Sequence, residues 1–433
     1  MSTTIDRTAK IEETAHLVAI VSVIVSMAVV AIGNGLMFAY IPVRLSAEGY
    51  APAWAGTILT GLSAGGIAGC LLTGRLVRQV GHARTYMAFS AMIVLSNCGV
   101  GAVVDPWLWI TARALYGFAI SGLFIVAQSW LNDVVGNAIR GRVLALFYMS
   151  YVIGLGVGYY LLGLVDINGP ETALICVAAT AVSMLPVGLT RLAQPPAPLA
   201  ASVSLVRAWR ISPVAVTGML AVGGLSMTIT GFAPVHASAK GYSQQDIATL
   251  LSLLPIGTIL LQVPAGWISD RIDRRYVLVA ASVLAAAGAL LAFGLDGRAL
   301  IWLVPVYMIW DGASESIYSL AGAHANDRSG KEDLVAVSSA MLFAWSVSGF
   351  IVPAVVTLMT AVYGTEAFMI VGVVIAVSYA AFVIWRMLQA QPVPKAETGT
   401  FAPMTAQAPV PADLVLDEEG PAGNGGARSG PIA

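Results

Sequence analysis

Twelve apolar runs of roughly 20 residues, each long enough to cross the hydrocarbon core of a bilayer, partition this sequence. They fall near 17–41, 54–73, 84–104, 107–131, 141–164 and 171–190, then near 212–236, 246–266, 276–295, 299–322, 334–358 and 365–388. Few folds are open to such a chain. Inside lipid no water satisfies a backbone N–H or C=O, so each run must close its own hydrogen bonds as an α-helix. The expected fold class is all-α integral membrane, with twelve transmembrane helices. Composition agrees, since only 10% of residues are charged against about 25% in a soluble protein.

The runs repeat as a set. Gly74-Arg75-Leu76-Val77-Arg78-Gln79-Val80-Gly81, between the second and third runs, has a counterpart 192 positions on in Gly266-Trp267-Ile268-Ser269-Asp270-Arg271-Ile272-Asp273. Each reads as a tight basic loop at a membrane face. At the same offset Pro42-Val43, Ser46-Ala47, Gly49-Tyr50, Leu62 and Gly65 fall on Pro234-Val235, Ser238-Ala239, Gly241-Tyr242, Leu254 and Gly257. So many identities at one spacing indicate two pseudo-symmetric bundles of six helices. The expected organisation is an N-terminal segment 1–16, a first bundle 17–191, a linker 192–211, a second bundle 212–390 and a disordered tail 391–433. The linker carries Gln194-Pro195-Pro196-Ala197-Pro198, and the tail is rich in Pro, Ala, Gly and acid without periodicity.

Lysine and arginine placement sets the orientation. All but four of the 22 basic residues lie in the two terminal segments and the even-to-odd connections. The opposite loops carry Arg44, Lys240 and Arg298 alone. Both termini are therefore expected in the cytoplasm, with the chain in the inner membrane. Trp54, Trp107, Trp109 and Trp302 at one face, and Trp209 and Trp385 at the other, fit interfacial belts. Net charge near zero argues against a nucleic-acid partner. Cys70, Cys98 and Cys176 all fall inside apolar runs, as packing residues rather than disulfide or metal ligands. No metal or cofactor is expected.

The remaining basic residue, Arg113, lies within the fourth run, and Asp311 and Glu315 lie near the middle of the tenth. A charge at that depth costs several kcal/mol unless paired, solvated or neutralised, which makes such residues functional candidates. Asp311 and Glu315 are four apart and share one helix face, with Trp310, Ser314 and Tyr318 nearby. Two close carboxyls in a partly dry site favour holding a proton between them, the chemistry a proton-coupled carrier needs. The bland alternative is that either acid pins a neighbouring helix, or that Arg113 snorkels to the surface. Gly33-Asn34-Gly35 places an amide between two glycines at mid-membrane in the first run. Gly61, Gly65, Gly69, Gly154 and Gly158 follow the small-xxx-small spacing of close helix packing. Gln128, His236 and His324 read as residues near the interfaces.

With these features in place, the chain resembles the major facilitator superfamily of secondary transporters over residues 17–390, and within it a poorly characterised bacterial branch of small-molecule carriers. The family's loop signature runs Gly-x-x-x-Asp-(Arg/Lys)-x-Gly-(Arg/Lys)-(Arg/Lys). Gly74 and Gly81 match in the first copy, where Arg78 replaces the acid. Gly266, Asp270, Arg271, Arg274 and Arg275 match in the second, where Asp273 replaces the glycine. The resemblance implies that this acid clasps a neighbouring helix end, a role left to Asp270. Arg113-x-x-x-Gly117 is similar to a second signature, whose arginine is implicated in proton coupling. The Gly-Pro pair of many family antiporters is absent from Gly154-Leu155-Gly156-Val157-Gly158. Family architecture also implies that the first, fourth, seventh and tenth helices line a central cavity.

The expectation is a non-enzymatic, monomeric secondary transporter of a small organic solute. Asp311 and Glu315 would couple protons, Arg113 would balance their charge and Asn34 would contact substrate. The segments around Gly74, Arg78, Gly81, Gly266, Asp270 and Arg271 would act as a conformational latch. An uncoupled facilitator, or a sensor or scaffold of transporter shape, is the alternative.

Overall fold

The computed structural model describes residues 2–135, 137–190, 204–330, 334–389, 391 and 401, with backbone alone for 2–16, 132–134, 137–142, 334–336 and 338–339. The described residues form thirteen α-helices and no strand. The first six are α1 (Ser2–Ala47), α2 (Ala53–Val80), α3 (His82–Ala102), α4 (Pro106–Val134), α5 (Asn137–Leu162) and α6 (Glu171–Leu189). A short α7 (Leu205–Ile211) precedes α8 (Pro213–Ala239), α9 (Gln244–Ser269), α10 (Arg274–Gly294), α11 (Leu300–Asn326), α12 (Leu334–Tyr363) and α13 (Ala367–Gln389). The twelve long helices take the places of the twelve apolar runs, so α8 is the seventh run and α11 the tenth.

Among the described residues, 11 helices are long and apolar enough to cross a membrane on their own. The remaining long helix is α11. Its middle holds Asp311, Ser314, Glu315, Ser316 and Ser319, and every one of these is buried. Polar side chains inside a bundle touch protein rather than lipid, so a helix of this composition can sit among apolar neighbours.

The repeat is visible in backbone geometry. α1 ends where Gly49 turns to φ 77° and Tyr50 N–H reaches back to Leu45 O at 2.9 Å. α8 ends where Gly241 turns to φ 79° and Tyr242 N–H reaches back to Ala237 O at 3.0 Å. Only glycine takes this left-handed position without steric cost, which is why both copies carry it. Packing repeats as well. α1 lies on α5 and α2 on α4 in the first bundle, as α8 lies on α12 and α9 on α11 in the second. Gly65 presses on the Ala114 carbonyl across α2 and α4, and Gly257 on the Met308 carbonyl across α9 and α11. A Cβ fits at neither place. The bundles meet through α1 against α8, α2 against α12 and α5 against α9.

Several expectations need correction. The basic stretch at 74–84 is not a loop. α2 continues through Gly74 and Arg78 to Val80, and a single residue, Gly81 (φ 83°, ψ 165°), separates it from α3. The backbone of α1 is helical back to Ser2, not only from residue 17. Trp109 is fully buried, with its indole N–H donating to Val103 O at 2.9 Å, whereas Trp107 and Trp302 are exposed as belt residues should be. Of the expected linker, 192–203 lies outside the described residues. The rest is largely α7, begun by Ser204, whose hydroxyl accepts from Arg207 N–H at 3.3 Å. Of the expected tail, only Gln391 and Phe401 are described.

Candidate functional site

A cavity of about 140 Å³ lies between the bundles. It is lined by α1, α2, α4 and α5 of the first bundle and by α8 and α12 of the second. The bundles are sealed on the face where α1 ends and α2 begins. There Leu59 of α2 packs on Gly231 of α8, and Thr357 of α12 meets Gly56 of α2. The Gln244 amide at the start of α9 donates to Leu162 O and Val165 O of the first bundle.

Asn34 is at the cavity wall. Its Nδ2 donates to the Tyr151 hydroxyl at 2.9 Å, and its Oδ1 is buried without a partner among the described residues. The helix can bring it there because Gly33 and Gly35 on either side lie flat against the backbones at Cys176 and Leu155. Gln128 also lines the cavity, buried, and donates to the Tyr148 hydroxyl at 2.9 Å. It is not the interfacial residue expected. Cys70 lines the cavity as well.

Asp311 and Glu315 do not line this cavity, and neither does any other residue of α11. α12 takes the place that the tenth helix was expected to hold. Both acids are buried inside the second bundle. Asp311 Oδ2 accepts from Thr258 Oγ1 on α9 at 2.9 Å, and Glu315 accepts from Ser226 on α8. One turn apart on α11, they are thus held by two different helices. Tyr159 of α5 lines the cavity. One turn beyond Glu315, the Gln262 amide of α9 donates to the Ser319 hydroxyl.

Arg113 is buried and forms no ion pair among the described residues. Its guanidinium lies 4.1 Å from the ring centroid of Tyr116 and 5.4 Å from that of Phe38, and its Nη1 has no hydrogen-bond partner there. Both rings line the main cavity, and Arg113 does not. It borders a separate void of about 20 Å³ among apolar residues of α1, α2 and α8. The structure therefore brings Asn34 to the cavity and keeps Arg113 apart from the acids.

The expected latch residues divide between the repeats. Arg78 is exposed on the last turn of α2. Asp270 caps α9, and its Oδ1 accepts from Arg274 Nη1 at 3.4 Å and from Phe401 N–H at 3.0 Å. The firmer tie comes from Arg274, whose Nε donates to buried Asp327 at the end of α11 at 2.6 Å. Arg271 stacks on its own neighbour, with its guanidinium 3.5 Å from the Trp267 ring centroid. Gly266 accepts the Phe401 ring against its bare backbone. Burial alone would raise the Asp273 carboxyl, but hydrogen bonds from Arg275 outweigh it and hold the group below its ordinary value.

A family model described as the Major Facilitator Superfamily matches the chain twice, over residues 23–254 and 214–418. The chain belongs to the Major Facilitator Superfamily. This superfamily member is 27% identical over 348 residues to an uncharacterized MFS-type transporter of Yersinia pestis, covering 79% of this chain and 87% of that protein. It is 25% identical over 315 residues to the uncharacterized MFS-type transporter YcaD of Escherichia coli, covering 72% and 81%. Among solved structures, a mutant of the nucleoside transporter NupG superposes with a TM-score of 0.70 at 14% identity, over 85% of this chain and 99% of that one. At that identity the likeness speaks to the fold, which is that of a multi-pass membrane transporter.

Sequence reasoning passed over Tyr116, Tyr151, Tyr159 and Trp345, which form much of the cavity wall. A signal was available. Each brings a hydroxyl or indole N–H to mid-membrane, where a polar group needs a partner. No periodicity separates such aromatics from core residues.

Proposed function

We propose that this chain is a secondary active transporter of a small organic solute, working by alternating access and driven by protons. The observation that carries this reading is the cavity between the bundles, sealed on one face by Leu59 against Gly231 and by Gln244. A central site closed on one side by bundle-to-bundle packing is what a rocking mechanism requires. In this reading the solute enters from the face where α2 meets α3, which basic-residue placement assigns to the cytoplasm of the inner membrane. The protein acts as a monomer, and release follows when the Leu59–Gly231 seal parts. Protonation of Asp311 or Glu315 weakens its tie to Thr258 or Ser226, which loosens α11 from α9 and α8. Arg274 and Asp327, with Asp270 beside them, hold the ends of α9, α10 and α11 in the present state.

The test is uptake into proteoliposomes under an imposed pH gradient, comparing wild type with Asp311→Asn/Glu315→Gln. Loss of gradient-driven accumulation with counterflow exchange retained supports coupling through the pair. Accumulation that stays fully gradient-driven in the double variant rejects it. A second reading, an uncoupled facilitator, is favoured by one observation: both acids are hydrogen-bonded inside their own bundle, away from the cavity wall. Wild-type protein that equilibrates solute without ever concentrating it would establish that reading.

A further inference from the structure

The cavity wall restricts what can occupy it. Its lining side chains carry no formal charge. The nearest cation, Arg113, is screened by the rings of Phe38 and Tyr116. The nearest acids are engaged by Thr258 and Ser226. A charged solute would therefore be desolvated there without a counter-ion.

Three buried polar atoms on this wall have no partner among the described residues: Asn34 Oδ1, the Tyr116 hydroxyl and Trp345 Nε1. They come from α1, α4 and α12, and so from both bundles. Asn34 Oδ1 is an acceptor, Trp345 Nε1 a donor and the tyrosine hydroxyl either. Buried polar atoms in native folds find a partner, and these three belong to residues that line the space a solute would fill.

Shape points the same way. Phe38, Phe124, Tyr151 and Tyr159 add aromatic side chains to the wall. A dry cavity of about 150 Å³ takes a benzene-sized ring, which is the scale of this one at about 140 Å³.

We propose that the cavity binds an uncharged, planar ring compound bearing both a donor and an acceptor on its edge, the donor held by Asn34 Oδ1 and the acceptor by Trp345 N–H. That such a compound is the transported solute rests on the transport reading above. Binding does not.

Calorimetry on the purified full chain tests it, with uracil and nicotinamide as neutral rings, orotate and nicotinate as their charged counterparts, and xylose as a non-planar neutral control. At least one neutral ring is expected to bind, and each charged counterpart at least about tenfold more weakly. Trp345→Phe keeps a ring and removes the donor, and it should weaken binding about 5- to 10-fold, the effect of one lost hydrogen bond. Asn34→Leu gives a second, independent loss on another helix. Charged forms binding as tightly as neutral ones overturn the proposal. So do xylose binding in preference to the rings, none of the four rings binding at millimolar concentration, or both variants leaving affinity unchanged. Proteoliposome uptake separates the two readings. A ring that binds and is not carried counts against transport and leaves this inference standing. A carried solute that is charged or non-planar sinks the inference and leaves transport standing.

Discussion

Thr258 of α9 donates to Asp311 of α11 at 2.9 Å, so a mid-membrane acid is tied to its own bundle rather than to the cavity. Removing the donor leaves a buried carboxyl short of a partner, which costs about 1–3 kcal/mol. Thr258→Val should lower the thermal midpoint in detergent, while Thr258→Ser, which keeps the hydroxyl, should leave it near wild type. Equal midpoints for the two variants would mean that the bond contributes nothing.

Arg113 stacks on Tyr116 and forms no ion pair among the described residues. Breaking a buried ion pair costs about 3–5 kcal/mol, whereas replacing a buried charge that has no partner is neutral or stabilising. Arg113→Met fills a similar volume without the charge and should hold or raise the thermal midpoint. A large fall in the midpoint would reveal an ion partner for the guanidinium.

Glycine substitutions should separate by position. Gly65→Ala forces its methyl into the Ala114 carbonyl, backbone that cannot move aside without parting α2 from α4. It should cost about 1–3 kcal/mol or more. At Gly294, the exposed last residue of α10, a Cβ meets nothing within 4 Å. Gly294→Ala should stabilise by about 0.4–1 kcal/mol through the unfolded chain. Expression and thermal midpoint of the two variants, measured side by side, check both signs.

The face where α8 ends carries a charge cluster with a defined pH window. Lys240 bridges Asp296 at 2.8 Å and Glu366 at 2.5 Å, and His236 Nε2 lies 2.8 Å from Asp296 Oδ1. Burial alone would raise Asp296, but hydrogen bonds from Lys240 and His236 hold it below 3.8. The Lys240 hydrogen bond holds Glu366 below 4.5, and hydrogen bonds to the two carboxylates raise Lys240 above 10.5. Depressed carboxyls stabilise above their unfolded values, and that stability is lost as pH falls through the folded ones. A raised lysine stabilises below its unfolded value and loses the effect as pH rises through its folded one. Burial holds His236 below 6.5, so its contribution is also lost as pH falls through that unfolded value, and the thermal midpoint should hold a plateau from about pH 7 to pH 10 as far as this cluster is concerned. Asp296→Asn/Glu366→Gln should lower the plateau and flatten the acid-side fall. An unchanged acid limb would exclude the cluster as its source.

The all-helical fold was legible because a long apolar run in lipid satisfies its backbone as a helix, and the loop signature at Gly74 and Gly266 carried the resemblance to the superfamily. Run length and composition then fix the element type, and the 192-residue offset reappears in the paired turns at Gly49 and Gly241. The placement of the basic segment after the second run was read correctly and its form was not. Helical hydrogen bonding continues past the last apolar residue, so α2 ends at Gly81, where φ must turn positive.

The candidate site divides along the same line. Chemical type alone singles out Asp311, Glu315, Arg113 and Asn34, because charge and amide are rare at membrane depth. Their partners are a matter of rotation about each helix axis and of which helix stands opposite, and sequence spacing encodes neither. The sequence by itself therefore determined the family, the helices, the repeat and the short roster of buried polar groups. Only the tertiary structure decided that Asn34 reaches the cavity, that Arg113 stacks on Tyr116, and that the acids turn to Thr258 and Ser226. Local hydrogen bonding and burial act along one chain segment, whereas these contacts depend on the packing of helices far apart in sequence.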